Sequence, residues 1–409
     1  MAKLCIYLPP FASDYTGVCS SLFDLNCLTA INDGSCCTAH YVYCDEPRWE
    51  KNVRPVLSTQ LRTIDAVLGN DEKVINAVSC AAKEMELSMI ALVGTPVPAI
   101  TGMDMEGMAC EIEDRTGICS FGFSTNGFDY YDRGIISAGK ALISRFTRKA
   151  DASEIIPHSV NILGMTPLDY GNTGNDTALK KKLEEAGWKV NAWLFMRTTQ
   201  EQIENLAKAQ VNLAVSAAGA EIGEYLKTHF GTPYAAAAPM GQTAFGELLE
   251  TLEACSHGSD VILPNQYNLT ESLCQSDCRK SEKFGAGDMS IPVQAEQPEG
   301  RILIIMDQIM GNSLRRAIEL KHPQIQVDTA GFFGWNPAFA GKNDVHLKSE
   351  RELLDLLRSG RYQTVIGDPL LADIPDMKKL RHIKLAHPAV SGQLHWKDVP
   401  NYLYLQWPF

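Results

Sequence analysis

SMIALVGTPVPAITGMDMEGMACEIEDRTGICSFG, residues 88–122, carries the pattern that decides the fold. Ser88–Gly94 is an unbroken apolar run of strand length, and Thr95-Pro96-Val97-Pro98 ends it. Met105–Arg115 then repeats its apolar residues at helical spacing, and Ile118–Gly122 is a second short apolar run. Strands that are apolar on both faces and alternate with helices belong to parallel sheets covered by crossover helices. The same order extends in both directions. Lys3–Leu8 reads as a strand, Asp71–Met85 as a helix and Asp132–Arg148 as the helix that closes the block.

A second cycle starts after Asp151–His158. Strands are expected at Ser159–Met165, Lys189–Phe195, Val211–Ser216 and Tyr234–Pro239, with helices at Asp176–Ala186, after the Thr198–Glu201 capping box, and at Glu221–Phe230 and Gln242–Ala254. Between Ser256 and Gly300 the periodicity fails. A third cycle follows: strand Arg301–Met306, helix Asn312–Leu320, helix Glu350–Arg358 and strand Tyr362–Gly367. The expectation is an α/β protein of three Rossmann-like domains with parallel sheets: 1–150, 151–258 and 300–409, with 259–299 an irregular excursion or linker.

Composition narrows the function. A net charge of −12 with no basic run argues against a nucleic-acid surface. No apolar run reaches the length of a membrane span, and the start has no secretion-signal pattern. Twelve cysteines without such a signal point to a reducing, cytoplasmic setting in which thiols stay free or bind metal. No phosphate loop for ATP, no dinucleotide glycine fingerprint for NAD, no serine nucleophile elbow and no zinc helix is present.

Five cysteines, Cys19, Cys27, Cys36, Cys37 and Cys44, crowd into PPFASDYTGVCSSLFDLNCLTAINDGSCCTAHYVYCDEPRW, residues 9–49. Leu22, Phe23, Leu25, Leu28 and Ile31 suggest a helix with one thiol near its start and two just past its end. Thiols on such turns suit a metal or iron–sulfur cluster at a subunit edge; equally, free cysteines serve as small core hydrophobes. Cys274 and Cys278, at i and i+4, could share a helix face around a metal or a redox disulfide, or do neither. His387, in a His-Pro-Ala-Val-Ser-Gly run after an expected strand, faces a cleft and serves either as a structural histidine or as a ligand or proton donor.

Several of these stretches resemble the nitrogenase component 1-like family, nearer its β-type subunits and its nitrogenase-like branch in anaerobes. They are Asp14-Tyr15-Thr16-Gly17-Val18-Cys19, Asn32-Asp33-Gly34-Ser35-Cys36-Cys37, Asp45-Glu46-Pro47-Arg48-Trp49, Val93 through Asp104, Thr125-Asn126-Gly127, Leu168-Asp169-Tyr170 onward to Ala217, Val365 through Pro369, and His387 through Leu394. The resemblance implies an oxidoreductase subunit that takes low-potential electrons from a separate ATP-hydrolysing, NifH-like iron–sulfur reductase. It implies pairing with a second component 1-like subunit, the same or paralogous, and a [4Fe–4S] cluster shared at that interface. The family's cluster cysteines fall at Ser13 or Asp14, at Cys37 with Cys36 beside it, and at Thr95. One of three positions is therefore kept. The candidate ligands are Cys19 and Cys37, with Cys36 and Asp14 as variants and His387 as a weaker cleft residue. The substrate implied is a small molecule, a tetrapyrrole or a metallocofactor; a maturation scaffold or a cluster-free structural partner would carry the same features.

Overall fold

A computed structural model describes residues 5–50, 52–258 and 300–405. Thirteen described strands form three sheets, and every pairing between named strands is parallel. The first sheet contains β1 (Cys27–Ile31), β2 (Val56–Ser58), β3 (Met89–Val93) and β4 (Cys119–Phe123), in the order β2-β1-β3-β4. The second contains β5 (Ile156–Leu163), β6 (Lys189–Leu194), β7 (Ala209–Ala214) and β8 (Tyr234–Ala236), in the order β6-β5-β7-β8. The third contains β9 (Arg301–Ile305), β10 (Gln326–Gly331), β11 (Val345–His346), β12 (Thr364–Gly367) and β13 (Arg381–Lys384), in the order β11-β10-β9-β12-β13. The α/β fold with parallel sheets is thus as the sequence pattern predicts. Cys274 and Cys278 lie outside the described residues.

The first sheet illustrates why these residues fold this way. β1 and β3 are buried along their whole length. On β1, Leu28 and Ala30 face one side, against Val74 and Val78 of the Asp71–Lys83 helix and Met108 and Ile112 of the Met105–Thr116 helix. Cys27 and Ile31 face the other, against Val18 and Leu22 of the Asp14–Leu22 helix and Ile135 and Leu142 of the Tyr131–Phe146 helix. This period of two buries both faces and makes the sheet a middle layer. Beyond it, one apolar cluster joins Val160, Ile162, Val211 and Leu213 of the second sheet to Ile302, Ile304 and Ile366 of the third. The sheets therefore share core.

Two local expectations are corrected. The helix expected across Leu22–Ile31 ends at Leu22, and 27–31 is strand β1. The run Cys-Leu-Thr-Ala-Ile is short and contains the β-branched Thr29 and Ile31, so the pull of the sheet outweighs an apolar spacing that fits both periods. Residues 5–8 of the expected first strand make no strand. The Tyr7 and Leu8 amides instead donate to Glu350 Oε1, at 2.7 and 3.2 Å, and the Ile6 amide donates to its Oε2.

The Asp14–Leu22 and Tyr131–Phe146 helices meet through reciprocal glycines. A Cβ on Gly17 would overlap the Tyr131 carbonyl, and one on Gly134 would overlap the Asp14 carbonyl. Backbone touches backbone there. No helix among the described residues is long and apolar enough to cross a membrane.

Candidate functional site

Doubly wound sheets bind ligands beyond the carboxyl ends of their strands, where the strand order reverses. In the first sheet that place lies between β1 and β3, and the chain leaves it through Asn32-Asp33 and Gly94-Thr95. Asp33 builds the turn: its carboxylate accepts from Thr38 N at 2.8 Å, Thr38 Oγ1 at 2.9 Å and Ser58 Oγ at 2.6 Å. Thr95 Oγ1 donates to the Asn32 carbonyl at 2.7 Å and so ties the two loops together. Ser35, held at φ +84°, opens the short Cys36–His40 helix, which places Cys37 half-buried and Cys36 exposed.

Burial and Asp33 push the Cys37 thiol up, while hydrogen bonding with Tyr15 and Thr95 pulls it down. The Tyr15 phenol lies beside Ser13, whose buried hydroxyl has no hydrogen-bond partner. Ser13, Tyr15, Cys37 and Thr95 therefore form one locus, containing the three positions at which the family resemblance places cluster cysteines.

The other candidates are placed differently. Cys19 is 1% exposed and lies in the core between the helices and β1, where burial, Cys27 and Glu46 push its thiol well up. It is a core residue, whereas Cys37 is half-buried. Asp14 is used up structurally: Oδ1 accepts from Tyr15 N at 2.8 Å and Gly127 N at 2.7 Å, and Oδ2 from Asn126 N at 2.8 Å. It clamps the first helix to the Thr125–Asp129 turn. Asp14→Ala would orphan these amides and is expected to lower stability by roughly 2–3 kcal/mol, read as a shifted urea midpoint at unchanged slope.

Among the described residues no group of three or more His, Cys, Asp or Glu side chains has the geometry to hold a metal ion. The donor set fits one side of a shared iron–sulfur site, with Cys37 as the half-buried thiol and Cys36 as its exposed neighbour. It does not fit a cluster held by this chain alone.

A second locus lies where the three sheets meet. Tyr131, from the first sheet's closing helix, donates its hydroxyl to Asp169 Oδ1, while Asp169 Oδ2 accepts from Thr166 Oγ1 at 3.0 Å. His387 is 3% exposed, stacks on Phe333 at 5.2 Å between ring centres, and sets Nε2 3.5 Å from Asp169 Oδ1. That is an ion-pair distance, but neither imidazole nitrogen has a hydrogen-bond partner. Asp307, just past β9, accepts from Ile309 N at 2.9 Å and from Met310 N at 3.2 Å in its own helix. It also accepts from Ala217 N at 2.9 Å, at the start of the second sheet's Ala217–Phe230 helix. Burial, then Asp169, push its carboxyl up to about 7. Burial pushes Asp132 up to about 6, and its Oδ1 lacks a partner.

Beside His387 a cavity of about 20 Å³ is walled mainly by Phe11, Phe332, Phe333 and Leu371, with Asp368 at its edge. It has room for about one water. The sequence reading reaches His387 but not Tyr131, Asp132 or Asp307. Asp307 alone carries a signal, its position two residues past a buried strand, where such sheets bind ligands.

A family model described as nitrogenase component 1 type oxidoreductase matches residues 27–272, more than half of the chain. The B-type polypeptide of the light-independent protochlorophyllide reductase from Zygnema circumcarinatum is 26% identical over 217 residues, 50% of this chain and 42% of its own length. The nitrogenase molybdenum-iron protein alpha chain of Clostridium pasteurianum is 26% identical over 224 residues, 53% of this chain and 40% of its own. These matches span less than half the length of either relative. A solved structure titled nitrogenase Cp1 at pH 6.5 superposes with a TM-score of 0.67 at 11% identity, over 98% of this chain and 91% of that one. At that identity the likeness is one of fold, and it extends over all three sheets. With the family model on the first two sheets, it establishes that the chain belongs to the nitrogenase component 1 type oxidoreductases.

Proposed function

We propose that this chain is a nitrogenase-like oxidoreductase subunit, built as three α/β domains, that works beside a second component 1-like subunit. It would accept low-potential electrons from a separate ATP-hydrolysing, NifH-like iron–sulfur reductase in the cytoplasm. The observation that carries this reading is the meeting of Ser13, Cys37 and Thr95 at one switch point. An iron–sulfur cluster bound there supplies one-electron transfer. Cys37 would hold it, with Cys36 in reach. The Tyr15 hydroxyl would hydrogen-bond the cysteine sulfur, a lever on potential, while Thr95, Asp33 and Asn32 keep the turn rigid. The kinship with protochlorophyllide reductase and nitrogenase chains supports a reductive role on a small molecule, a tetrapyrrole or a metallocofactor.

A cluster-free structural subunit is the second reading, favoured by the single thiol among the three positions. Iron and acid-labile sulfide on anaerobically purified protein, with EPR after dithionite, separate the two. About two irons per chain, a shared [4Fe–4S] cluster, is the expected result. Cys37→Ala should lose most of the iron, whereas Cys19→Ala should keep it and lose core stability instead. An iron-free wild-type protein would end the electron-transfer reading.

A further inference from the structure

Residues 5–12 form a segment that joins no strand and no helix. Among the described residues, the backbone hydrogen bonds of 5–11 all run to one carboxylate, that of Glu350 at the start of the Glu350–Arg358 helix. Pro9 and Pro10 have no N–H to offer, and Cys5, Ile6, Tyr7, Pro9 and Pro10 are exposed. The segment is fixed again only at Ala12, whose amide donates to the Ala389 carbonyl at 2.8 Å. Two side chains turn inward. Leu8 is buried, and the Phe11 ring meets Phe332 and Phe333 edge-on, at 5.2 and 5.9 Å between centres.

The order of the third sheet reverses between β9 and β12, and a doubly wound sheet takes its ligand beyond the strand ends at such a point. Ile305 ends β9, Phe332 and Phe333 follow β10, and Asp368 follows β12; all four border the cavity beside His387. Leu8 and Phe11 wall the same cavity, so the chain's own side chains fill the crevice. They fill it imperfectly. The cavity persists beneath them, and the buried His387 in its wall has no hydrogen-bond partner at either nitrogen. A buried polar group left unpaired costs stability in this closed form, and the cost is relieved once a donor or acceptor reaches it.

We propose that residues 5–12 are a hinged strap: latched on Glu350 it plugs the third sheet's crevice, and lifted about Ala12 it opens that crevice to an aromatic ring bearing a hydrogen-bonding group for His387. The class of ligand follows from the occupant it replaces, because Phe11 vacates a slot edged by Phe332 and Phe333. Lifting is a local event. Two anchoring side chains and the bonds to one carboxylate stand against the conformational freedom of residues 5–11, which puts the strap at the low-stability end of the molecule. The apolar core shared by the second and third sheets stays intact when it lifts. The strap is independent of any cluster at Cys37.

Two rates measured on the full chain at one fixed pH, with and without indole as the ring, test this. One is hydrogen exchange of the Tyr7 and Leu8 amides; the other is carbethoxylation of His387 by diethyl pyrocarbonate, followed on its peptide by mass spectrometry. In wild type the two amides are expected to exchange roughly a hundredfold faster than those of β9, after correction for intrinsic rates. Glu350→Gln keeps the shape of the latch but sets an NH2 against a backbone N–H whichever way the amide turns, and it should raise both rates about tenfold. Indole binds only the lifted form, so it should speed exchange at Tyr7 and Leu8 while slowing carbethoxylation of His387. Strap amides as slow as those of β9, or a Glu350→Gln protein whose amides speed up while His387 does not, would overturn the strap. So would indole that moves the two rates together or moves neither. Should the variant not fold, the wild-type response to indole decides alone.

Discussion

Arg48→Ala is expected to remove about 3–5 kcal/mol, a large share of what a folded chain has in hand. The guanidinium is almost wholly buried and serves both sheets it touches. Nε and Nη2 bond the two oxygens of Glu46 at 2.8 Å each, Nη1 reaches Asp24 at 2.9 Å and the Phe195 carbonyl at 3.2 Å, and Nη2 reaches the Ser20 carbonyl at 2.6 Å. Its plane lies over Phe23, 4.3 Å from the ring centre. Phe195 itself stands at φ +100°, a strained setting that the carbonyl bond helps to hold. Removing the cation leaves Glu46 buried with no counter-charge. Replacing Arg48, Glu46 and Asp24 together by apolar residues of similar size should therefore cost less than Arg48→Ala alone. Urea midpoints of the two proteins check this, and equal losses would mean the charges add nothing beyond packing.

Gly134→Ala follows with about 3 kcal/mol, the upper end of ordinary overpacking. Alanine normally favours a helix over glycine by about 1 kcal/mol, so the sign here opposes propensity. The added methyl meets the Asp14 carbonyl, and the two helices must separate. Gly17→Ala meets the Tyr131 carbonyl in the same way, and the double variant should lose less than the sum of the two. A gap opened for one methyl accommodates the other. Strict additivity would show that each helix yields locally instead.

Much of the fold was legible because buried parallel strands are plain apolar runs. Met89–Val93 and the helices Asp71–Lys83, Met105–Thr116 and Glu350–Arg358 fall within two residues of the pattern's limits. β1 was not legible, since Leu28 and Ile31 satisfy a helix and a strand alike and only the neighbouring strands decide. β2 and β11 are short edge strands, with too few residues to carry a period. At the site, Cys37 and Thr95 were reached through family resemblance. Spacing could not separate Cys19 from Cys37, because exposure depends on which helix face meets the sheet. The carboxylates of the junction were illegible for a deeper reason. Asp169 and Asp307 sit 138 residues apart, as the difference of their numbers (307 − 169), and acquire meaning only when separate sheets face one another.

The contact between the amides of Tyr7 and Leu8 and Glu350 also has a consequence for synthesis. Leu8 emerges 342 residues ahead of its partner. At about 5–20 residues per second the ribosome takes on the order of tens of seconds to make that span. Throughout that interval Leu8 and the neighbouring Phe11 have no third sheet to pack against. They are surface that a chaperone can hold, and their burial marks the late end of folding on the ribosome.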